Sequence, residues 1–363
     1  MRSKYLKIVR EKIREGDLLW FPKNTARIAG VIASAYLKKK IVGPMNVTVA
    51  PSWRCNSLCK MCLVKKSSAE EMDIDEFKRI TDELADLGAS VFSFFGGEPL
   101  LREDIFEMIS YVKSKRLITQ ISTNGIVLSD KNISKKLIET NCEIITFSLD
   151  CMNSATYKQI RGVDKFNEAI EGIKNTIYFR NMFKKNIAIN VNFVLMDENI
   201  DDAMEIIKFI KSLDVDLVTS YPVLEFDHLK NYQSKEFYTK LVDLFRKFKK
   251  IKNRDKILDI STEYLDYIIE RITDKRPRVK CFVPISDINI DPSGNVFPCM
   301  YFWGQEKIIG NIKGKSIKDF WYGKKYAAIR KELANCDQCD ALCHVEPALF
   351  FNKFWFKSNP KKA

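Results

Sequence analysis

The chain has 363 residues, of which 46% are hydrophobic and 29% are charged, and its formal net charge is +13. This composition excludes a disordered or fibrous chain, and the length suits one large globular domain with a smaller one. Because the lysines are spread along the chain, the excess charge predicts either a basic solvated surface or an acidic partner. Nucleic acid is the least favoured partner, since the sequence lacks an aromatic-interleaved RNA motif.

Most of the ten cysteines occur in groups with the spacing of metal ligands, C-x3-C-x2-C and C-x2-C. This spacing, without a secretory signal, favours a reducing compartment, so we expect a cytoplasmic protein that is soluble or peripheral to the membrane. Residues 1–43 are predicted to be a basic helical segment, in which the apolar run Ile28–Leu37 is too short to span a membrane. We expect this segment to pack on the outside of the protein. The alternative is a surface that rests on a membrane.

Strands and helices alternate from residue 45 to residue 222. A period of two predicts strands, and apolar residues at helical spacing predict helices. In chain order, the predicted strands are residues 46–51, 90–95, 117–122, 143–149, 187–195 and 217–222, and the predicted helices are residues 73–88, 105–114, 133–140, 167–178 and 201–213. The alternation predicts an α/β fold in which a parallel sheet curves into a partial (β/α)6 TIM-like barrel over residues 44–222. Functional residues of such folds gather at the C-terminal ends of the strands.

Cys55, Cys59 and Cys62 directly follow the first predicted strand. Three thiolates on so short a loop can hold three irons of a four-iron cluster and leave the fourth iron open for a substrate or cofactor. A structural zinc site is the alternative. It would normally need a fourth nearby Cys or His, and the only histidines are His228 and His344.

Polar motifs follow the next strands. Gly96-Gly97-Glu98-Pro99 comes after the second strand, and its two glycines allow the backbone to approach a ligand closely. The later strands carry further polar residues at or near their ends, namely Ser122, Asn124, Ser148, Asp150, Asn192 and, shortly after the fourth strand, Arg161. Since the C-terminal ends of parallel strands meet at one edge, these motifs predict a single binding site beside the cysteine loop.

With these motifs the chain resembles the radical S-adenosylmethionine (SAM) superfamily over residues 45–345. The resemblance implies that Cys55, Cys59 and Cys62 hold a 4Fe–4S cluster whose open iron binds SAM. It further implies that reductive cleavage of SAM gives a 5′-deoxyadenosyl radical, which removes a hydrogen atom from the substrate. An electron donor such as flavodoxin or ferredoxin is implied as a partner.

The resemblance also implies roles in SAM binding. Residues 96–99 match the family's GGEP motif, which binds the amino group of SAM, and Met61 stands where the family usually has an aromatic residue that packs against the adenine. The polar strand-end residues would serve the ribose, the carboxylate and the other polar groups of SAM; they are Ser122, Asn124, Ser148, Asp150, Arg161 and Asn192. Cys142 and Cys151 are interpreted as core thiols.

A second cysteine group lies in residues 281–345 and comprises Cys281, Cys299, Cys336, Cys339 and Cys343. A hairpin turn is predicted at residues 291–295 and a helix around residues 317–333. The group resembles the SPASM/Twitch extension, which binds auxiliary 4Fe–4S clusters. Five cysteines suffice for one cluster, with Cys281, Cys299, Cys336 and Cys339 as ligands and Cys343 either replacing Cys339 or free. A structural zinc knuckle stays open, because zinc also accepts four thiolates.

Residues 223–280 are predicted to form a helical bridge, and residues 346–363 an aromatic-basic tail that packs on the barrel or anchors at a membrane surface. We expect a radical SAM enzyme that oxidatively modifies or matures a peptide or protein with the help of an auxiliary cluster. The second hypothesis is a radical SAM enzyme of lipid or small-molecule biosynthesis that acts at the membrane surface. The third is a non-catalytic iron–sulfur or zinc protein.

Overall fold

The computed structural model describes residues 20–37, 42–62, 70–223, 233–252, 255–273, 279–303, 307–334, 336, 339 and 341–358. The helices of these residues are α1 (Trp20–Leu37), α2 (Ile74–Leu87), α3 (Ile105–Ser114), α4 (Lys131–Glu139), α5 (Ser154–Arg161), α6 (Phe166–Met182), α7 (Ala203–Ser212), α8 (Lys235–Lys252), α9 (Thr262–Ile272), α10 (Val283–Ser286), α11 (Ile317–Trp321), α12 (Lys324–Leu333) and α13 (Leu342–Ser358). The strands are β1 (Asn46–Val49), β2 (Val91–Phe94), β3 (Ile118–Thr123), β4 (Ile144–Ser148), β5 (Ala188–Leu195), β6 (Leu217–Pro222), β7 (Asp287–Ile290), β8 (Asn295–Phe297) and β9 (Gly310–Asn311). Short 3-10 helices lie at Pro99–Leu101, Ile126–Ser129 and Met300–Phe302.

In the described part of the chain, all of these strands belong to one sheet with the order β6-β5-β4-β3-β2-β1-β7-β8-β9. Strands β1 to β6 are parallel, and each pairs with the next strand along the chain. At least one helix returns the chain between each consecutive pair of these strands. This arrangement confirms the predicted α/β fold with a partial TIM-like barrel.

The two faces of the sheet differ in chemistry. Residues paired in register share a face, and successive residues along a strand alternate between the faces. The outer face carries fully buried apolar side chains such as Val47, Phe92 and Ile145, which belong to the main core with the helices. The inner face carries hydroxyl and amide side chains, namely Thr48, Ser93, Gln120, Ser122, Thr146, Ser148, Asn190, Asn192, Thr219 and Asn289. Nearer the N-terminal ends of the strands it also carries a small apolar cluster of Val91, Ile118, Ile144 and Ala188. The interior of a closed barrel is usually filled by branched apolar residues, so this inner face is suited to polar contents.

The C-terminal cysteine region continues the same sheet. Strand β7 pairs in parallel with β1, with Asn289 opposite Thr48, and forms an antiparallel pair with β8. The predicted turn between β7 and β8 is confirmed: Gly294 has a φ of +83°, and Asn295 N donates to Asp291 Oδ1 at 2.8 Å. The pairing of β7 with β1 was not predicted from the sequence. It joins the two cysteine regions through one hydrogen-bonded sheet.

Helices α1 and α13 contribute to one buried cluster. Val31 of α1 and Ala348 of α13 pack there with Phe282, and Leu349 packs on the main core. Residues 1–19 of the predicted basic helical segment and the tail side chains beyond Phe350 lie outside the described residues. Across the described ranges, no helix combines the length and the apolar character needed to cross a membrane.

Two local elements differ from the predictions. Helix α5 was not predicted, because Tyr157 and Ile160 alone give it a short apolar face, although Asn153 accepts a capping bond from Thr156 N. The helix predicted over residues 317–333 is instead the two helices α11 and α12. Gly323 separates them with an extended backbone (φ −69°, ψ 154°), consistent with the low helix propensity of glycine.

Candidate functional site

The loop with Cys55, Cys59 and Cys62 begins a few residues after the C-terminal end of β1, and the two glycines after β2 support its start. Gly97 N donates to Ser52 O at 3.0 Å, and Glu98 N donates to Arg54 O at 2.7 Å. A Cβ atom on Gly97 would lie 2.2 Å from Arg54 O, so this close approach requires glycine. Gly97 and Glu98 therefore hold the chain that leads into the cysteine loop, and both also line the cavity beside it.

A cavity of about 150 Å³ lies at this edge of the sheet. All three cysteines line it, together with eight of the eleven residues predicted to contact SAM: Met61, Gly96, Gly97, Glu98, Ser122, Asn124, Ser148 and Arg161. Trp53, Ser57, Phe95 and Thr123 complete the described lining. Ser57 lies within the cysteine motif and Thr123 within the motif at the end of β3, whereas Trp53 and Phe95 had not been singled out. Cys55 and Cys59 are half-buried and Cys62 is exposed.

Three predicted contact residues lie outside the described lining. Pro99 is buried at the first position of its 3-10 helix. Asn192 lies on the inner face of β5, where its Oδ1 accepts a hydrogen bond from Asn190 Nδ2 at 2.7 Å. Asp150 is fully buried and bonds to protein groups. For these three residues, direct contact with SAM stays a prediction.

Glu98 is a buried carboxyl group in the cavity wall, with 1% of its surface exposed. It accepts hydrogen bonds from Thr123 Oγ1 at 2.9 Å, Asn124 N at 2.7 Å and Leu100 N at 3.1 Å. Burial raises the pKa of Glu98 to about 7, although these hydrogen bonds act in the opposite direction. A carboxylate so poorly solvated gains from a cationic partner, which fits the amino group implied by the GGEP resemblance.

Asn124 ties the end of β3 to the cysteine loop. Its Nδ2 donates to Asn56 Oδ1 at 2.6 Å and lies 3.4 Å from Ser57 Oγ. Its own Oδ1 accepts from Ile126 N at 3.0 Å, which fixes the side chain. Asn124 therefore orients the loop between Cys55 and Cys59 while it lines the cavity.

Arg161 reaches the cysteine loop from the end of α5. Its Nη1 donates to Cys59 Sγ at 3.5 Å, and its Nη2 pairs with Asp150 Oδ2 at 2.5 Å. Burial raises the pKa of the Asp150 carboxyl group, and the positive charge of Arg161 opposes that rise. Asp150 thus supports Arg161 on the side away from Cys59, and contact of either residue with SAM stays a prediction.

The second cysteine group gathers beside β8 and α12. Four of its thiols are half-buried and the fifth, Cys343, is exposed. Burial raises the pKa of Cys281 to about 12 and that of Cys299 to about 11, and neighbouring thiols add to both shifts, so these groups lie near one another. Cys339 Sγ lies 3.6 Å from His344 Nδ1. Within the described ranges, no group of three or more His, Cys, Asp and Glu side chains is arranged to hold a single metal ion.

Aromatic side chains connect this second group to the rim of the cavity. The Trp303 ring lies 5.3 Å from the Trp53 ring and 5.8 Å from the Phe95 ring, measured between centroids. Trp303 also packs in a cluster with Ala50 and with the half-buried Cys299. The C-terminal unit therefore contacts the wall of the cavity next to the cysteine loop.

The donor set at the cavity fits an iron–sulfur cluster with one open position. Thiolates are the usual protein ligands of such clusters, and the described lining supplies three of them. Glu98 lines the same cavity as the three cysteines, and its buried carboxyl group would suit the amino group of a ligand bound there. A bound cluster and SAM would together supply a 5′-deoxyadenosyl radical. Glu98, Asn124 and Arg161 contact the cysteine loop or the chain that leads into it, and contact of the lining residues with SAM stays a prediction.

Comparison with known proteins agrees with this geometry. Residues 49–210 match the family model of the Radical SAM superfamily, and residues 281–343 match SPASM, an iron–sulfur cluster-binding domain. Fe-coproporphyrin III synthase of Methanosarcina barkeri is 27% identical over 58% of this chain and 50% of its own length, so the match spans half of that relative. PqqA peptide cyclase of Granulibacter bethesdensis is 23% identical over 82% of this chain and 80% of its own.

Solved structures share the fold. Streptococcus suis SuiB bound to the precursor peptide SuiA has a TM-score of 0.64 at 19% identity, and the alignment covers 94% of this chain and 86% of that chain. The two matched domains imply 4Fe–4S clusters and SAM as cofactors, as expected from the two cysteine groups. The chain thus combines a Radical SAM domain over residues 49–210 with a C-terminal SPASM domain over residues 281–343, which is the domain pair of a radical SAM enzyme.

Proposed function

We propose that this enzyme oxidatively modifies a peptide or protein substrate, whose reacting segment enters the inner face of the barrel beside the SAM cavity. The observation that carries the proposal is the neutral, hydrogen-bonding character of that face. Toward the C-terminal ends of the strands its side chains are mainly amides and hydroxyl groups, which match the donors and acceptors of a peptide backbone. The apolar cluster of Val91, Ile118, Ile144 and Ala188 lies nearer the N-terminal ends.

Hydrogen bonds already organise part of this face. Thr219 Oγ1 donates to Asn190 Oδ1 at 3.1 Å, and Gln120 Nε2 donates to Ser93 Oγ at 2.5 Å. Asn289 differs from these residues: it is 1% exposed, and its Nδ2 has no hydrogen-bond partner among the described residues. A buried amide donor of this kind favours a ligand with an acceptor, such as a peptide carbonyl oxygen.

The same face disfavours two other substrate classes. Phosphorylated substrates are usually bound by lysine or arginine, and none of the described inward positions of β1 to β7 carries either residue. The one arginine in the described cavity lining, Arg161, is already paired with Asp150. A lipid chain would offer no acceptor to the buried Nδ2 of Asn289, and a buried donor without a partner is costly.

The C-terminal unit would complete the substrate site. Trp303 borders the cavity rim from that unit, so a substrate that extends out of the barrel would meet it. The auxiliary cluster would accept the electron that a substrate radical loses on oxidation, and flavodoxin or ferredoxin would deliver the electron that starts the reaction. The peptide named for PqqA peptide cyclase and the precursor peptide bound to SuiB support this substrate class.

The test measures which substrate loses a hydrogen atom to the 5′-deoxyadenosyl radical. Anaerobically reconstituted enzyme, SAM and a reductant are incubated with deuterated peptides encoded beside the gene. We expect deuterium in 5′-deoxyadenosine and a peptide product that has lost two hydrogen atoms. Deuterium transfer from a nucleotide or a lipid, with none from any peptide tested, would contradict the proposal.

Two variants test whether the inner face of the barrel binds the peptide. Asn289→Leu is expected to raise KM for the peptide while SAM binding is retained, because the variant removes the donor but leaves the cavity wall intact. Asn175→Leu is the matched control, since Asn175 is also buried but donates to Leu128 O and Ser129 O in the outer helical layer. If both substitutions raised KM equally, the rise in KM would reflect a general loss of packing and not the loss of a substrate contact.

A further inference from the structure

The last turn of α5 holds three consecutive residues of the cysteine loop. Leu58 N donates to Arg161 O at 2.8 Å, and Lys60 N donates to Ile160 O at 3.0 Å, on either side of Cys59. The two backbone bonds therefore fix the position of Cys59 relative to α5, and with it the sulfur atom that the Arg161 side chain reaches.

The guanidinium group of Arg161 is buried between that sulfur atom and one carboxylate. Its Nη1 donates to Cys59 Sγ at 3.5 Å, its Nη2 pairs with Asp150 Oδ2 at 2.5 Å, and the residue is 7% exposed. Asp150 Oδ1 in turn accepts from Val194 N at 2.8 Å, and Asn199 Nδ2 donates to Asp150 O at 2.9 Å. The end of β5 and the loop after it thus hold Asp150, Asp150 holds Arg161, and Arg161 holds a positive charge at a cluster ligand.

We propose that Arg161 and Asp150 tune the reduction potential of the cluster on Cys55, Cys59 and Cys62 in opposite directions. Reduction adds a negative charge to the cluster. A hydrogen bond to a ligating sulfur atom and a nearby positive charge both stabilise that added charge, so Arg161 raises the potential. Asp150 places a compensating negative charge behind the guanidinium group and limits the rise. Both side chains act through Cys59 and are positioning residues for the cluster.

Shifts of the reduction potential in opposite directions distinguish this electrostatic role from a structural one. If the pair only held the loop in place, replacing either Arg161 or Asp150 would weaken cluster binding in the same way. Neutralising a tuning pair shifts the potential one way for the cation and the other way for the anion. A role confined to SAM contact is also separable, because it would affect the potential only when SAM is present.

The experiment is a redox titration of the full chain, reconstituted anaerobically, without SAM and followed by electron paramagnetic resonance. The signal of the SAM cluster is identified as the one missing from a Cys55→Ala, Cys59→Ala, Cys62→Ala variant. We expect Arg161→Gln to lower the equilibrium constant for reduction of that cluster about tenfold, equivalent to about 59 mV for one electron. Asp150→Asn is expected to shift it in the opposite direction, and the auxiliary-cluster signal is expected to stay unchanged in both variants.

The control is Arg180→Gln. Arg180 forms a 2.6 Å ion pair with Asp216, also largely buried, at the other end of the strands, so its loss tests the effect of removing a buried arginine without touching the cluster. We expect no shift in this variant. Equal potentials in wild type and both variants, shifts of the same sign, or loss of the cluster from both variants would overturn the proposal, since each outcome would assign the pair a purely structural role.

Discussion

Glu98 offers a direct test of how the site binds SAM. The perturbation is Glu98→Gln, which keeps the size of the side chain and removes its charge. In the folded protein the pKa of Glu98 is raised from the ordinary 4.5 to about 7, chiefly by burial. Each unit of pKa corresponds to about 1.4 kcal/mol, so before SAM binds the charged form is disfavoured by about 3.5 kcal/mol relative to a solvent-exposed glutamate.

A bound ammonium group reverses that preference. If Glu98 receives the amino group of SAM, SAM binds the ionised carboxylate, and below pH 7 binding must release a proton from Glu98. The dissociation constant of SAM is therefore expected to rise by up to about tenfold for each pH unit below 7. The Gln variant has no such proton to release. Its affinity is expected to be weaker at pH 7.5 and nearly independent of pH down to 5.5, where the two proteins converge.

Isothermal titration of reconstituted protein with SAM between pH 5.5 and pH 7.5 measures this difference. The matched control is Glu143→Gln, because Glu143 is another buried glutamate that accepts from a backbone amide, at Thr119, but lies outside the described cavity lining. The control is expected to retain the slope of the wild type. The same slope in Glu98→Gln and wild type would refute the assigned contact between Glu98 and the amino group.

Three further predictions concern the same regions. Without SAM, protonated Glu98 stabilises the folded state below pH 4.5, and this stabilisation is lost as the pH rises through about 7. Glu98→Gln is therefore expected to flatten the pH dependence of the urea midpoint between these two values. A profile equal to that of the wild type would contradict this expectation. Gly162→Ala is expected to lower the iron content of the SAM-cluster site, because the residue has a φ of +70° and its Cβ would lie 2.6 Å from Leu58 O; iron and sulfide counts equal to wild type would exclude that strain. Cys339→Ser is expected to remove the auxiliary cluster and Cys343→Ser to retain it, since Cys343 is the exposed thiol of the group; loss of iron in the second variant alone would assign the ligand to Cys343.

The alternation of strands and helices up to residue 222 could be predicted because each element repeats its apolar period within its own residues. The cysteine spacing and the strand-end motifs likewise carry their chemistry locally, and most of them line one cavity. The pairing of β7 with β1 is different. It depends on which strand edge stays open after the barrel is built, and no local pattern in Asp287–Ile290 specifies its partner.

The direction of a side chain, like the pairing of β7 with β1, depends on contacts that are distant in sequence and could not be predicted. The sequence identifies Arg161 and Asp150 as polar residues near a strand end, but it does not reveal that Asp150 turns toward the backbone of β5. The contact between Arg161 and Asp150 depends on α5, and this helix was not predicted because its apolar face is short. The Asn153 cap at its start was the available signal. Trp303 lies in a segment without a motif, and its contact with Trp53 follows only from the joined sheet.

The β1–β7 ladder also constrains motion during turnover. Domains linked by a flexible connection commonly move relative to each other. Here four register pairs from Asn46 and Asp287 onward join the strand before the cysteine loop to the strand that leads to Cys299. The separation of the two cysteine groups is therefore set by a hydrogen-bonded sheet, because moving the two units apart would require breaking the β1–β7 pairing itself. We therefore expect substrate exchange to depend on the loops at the strand ends.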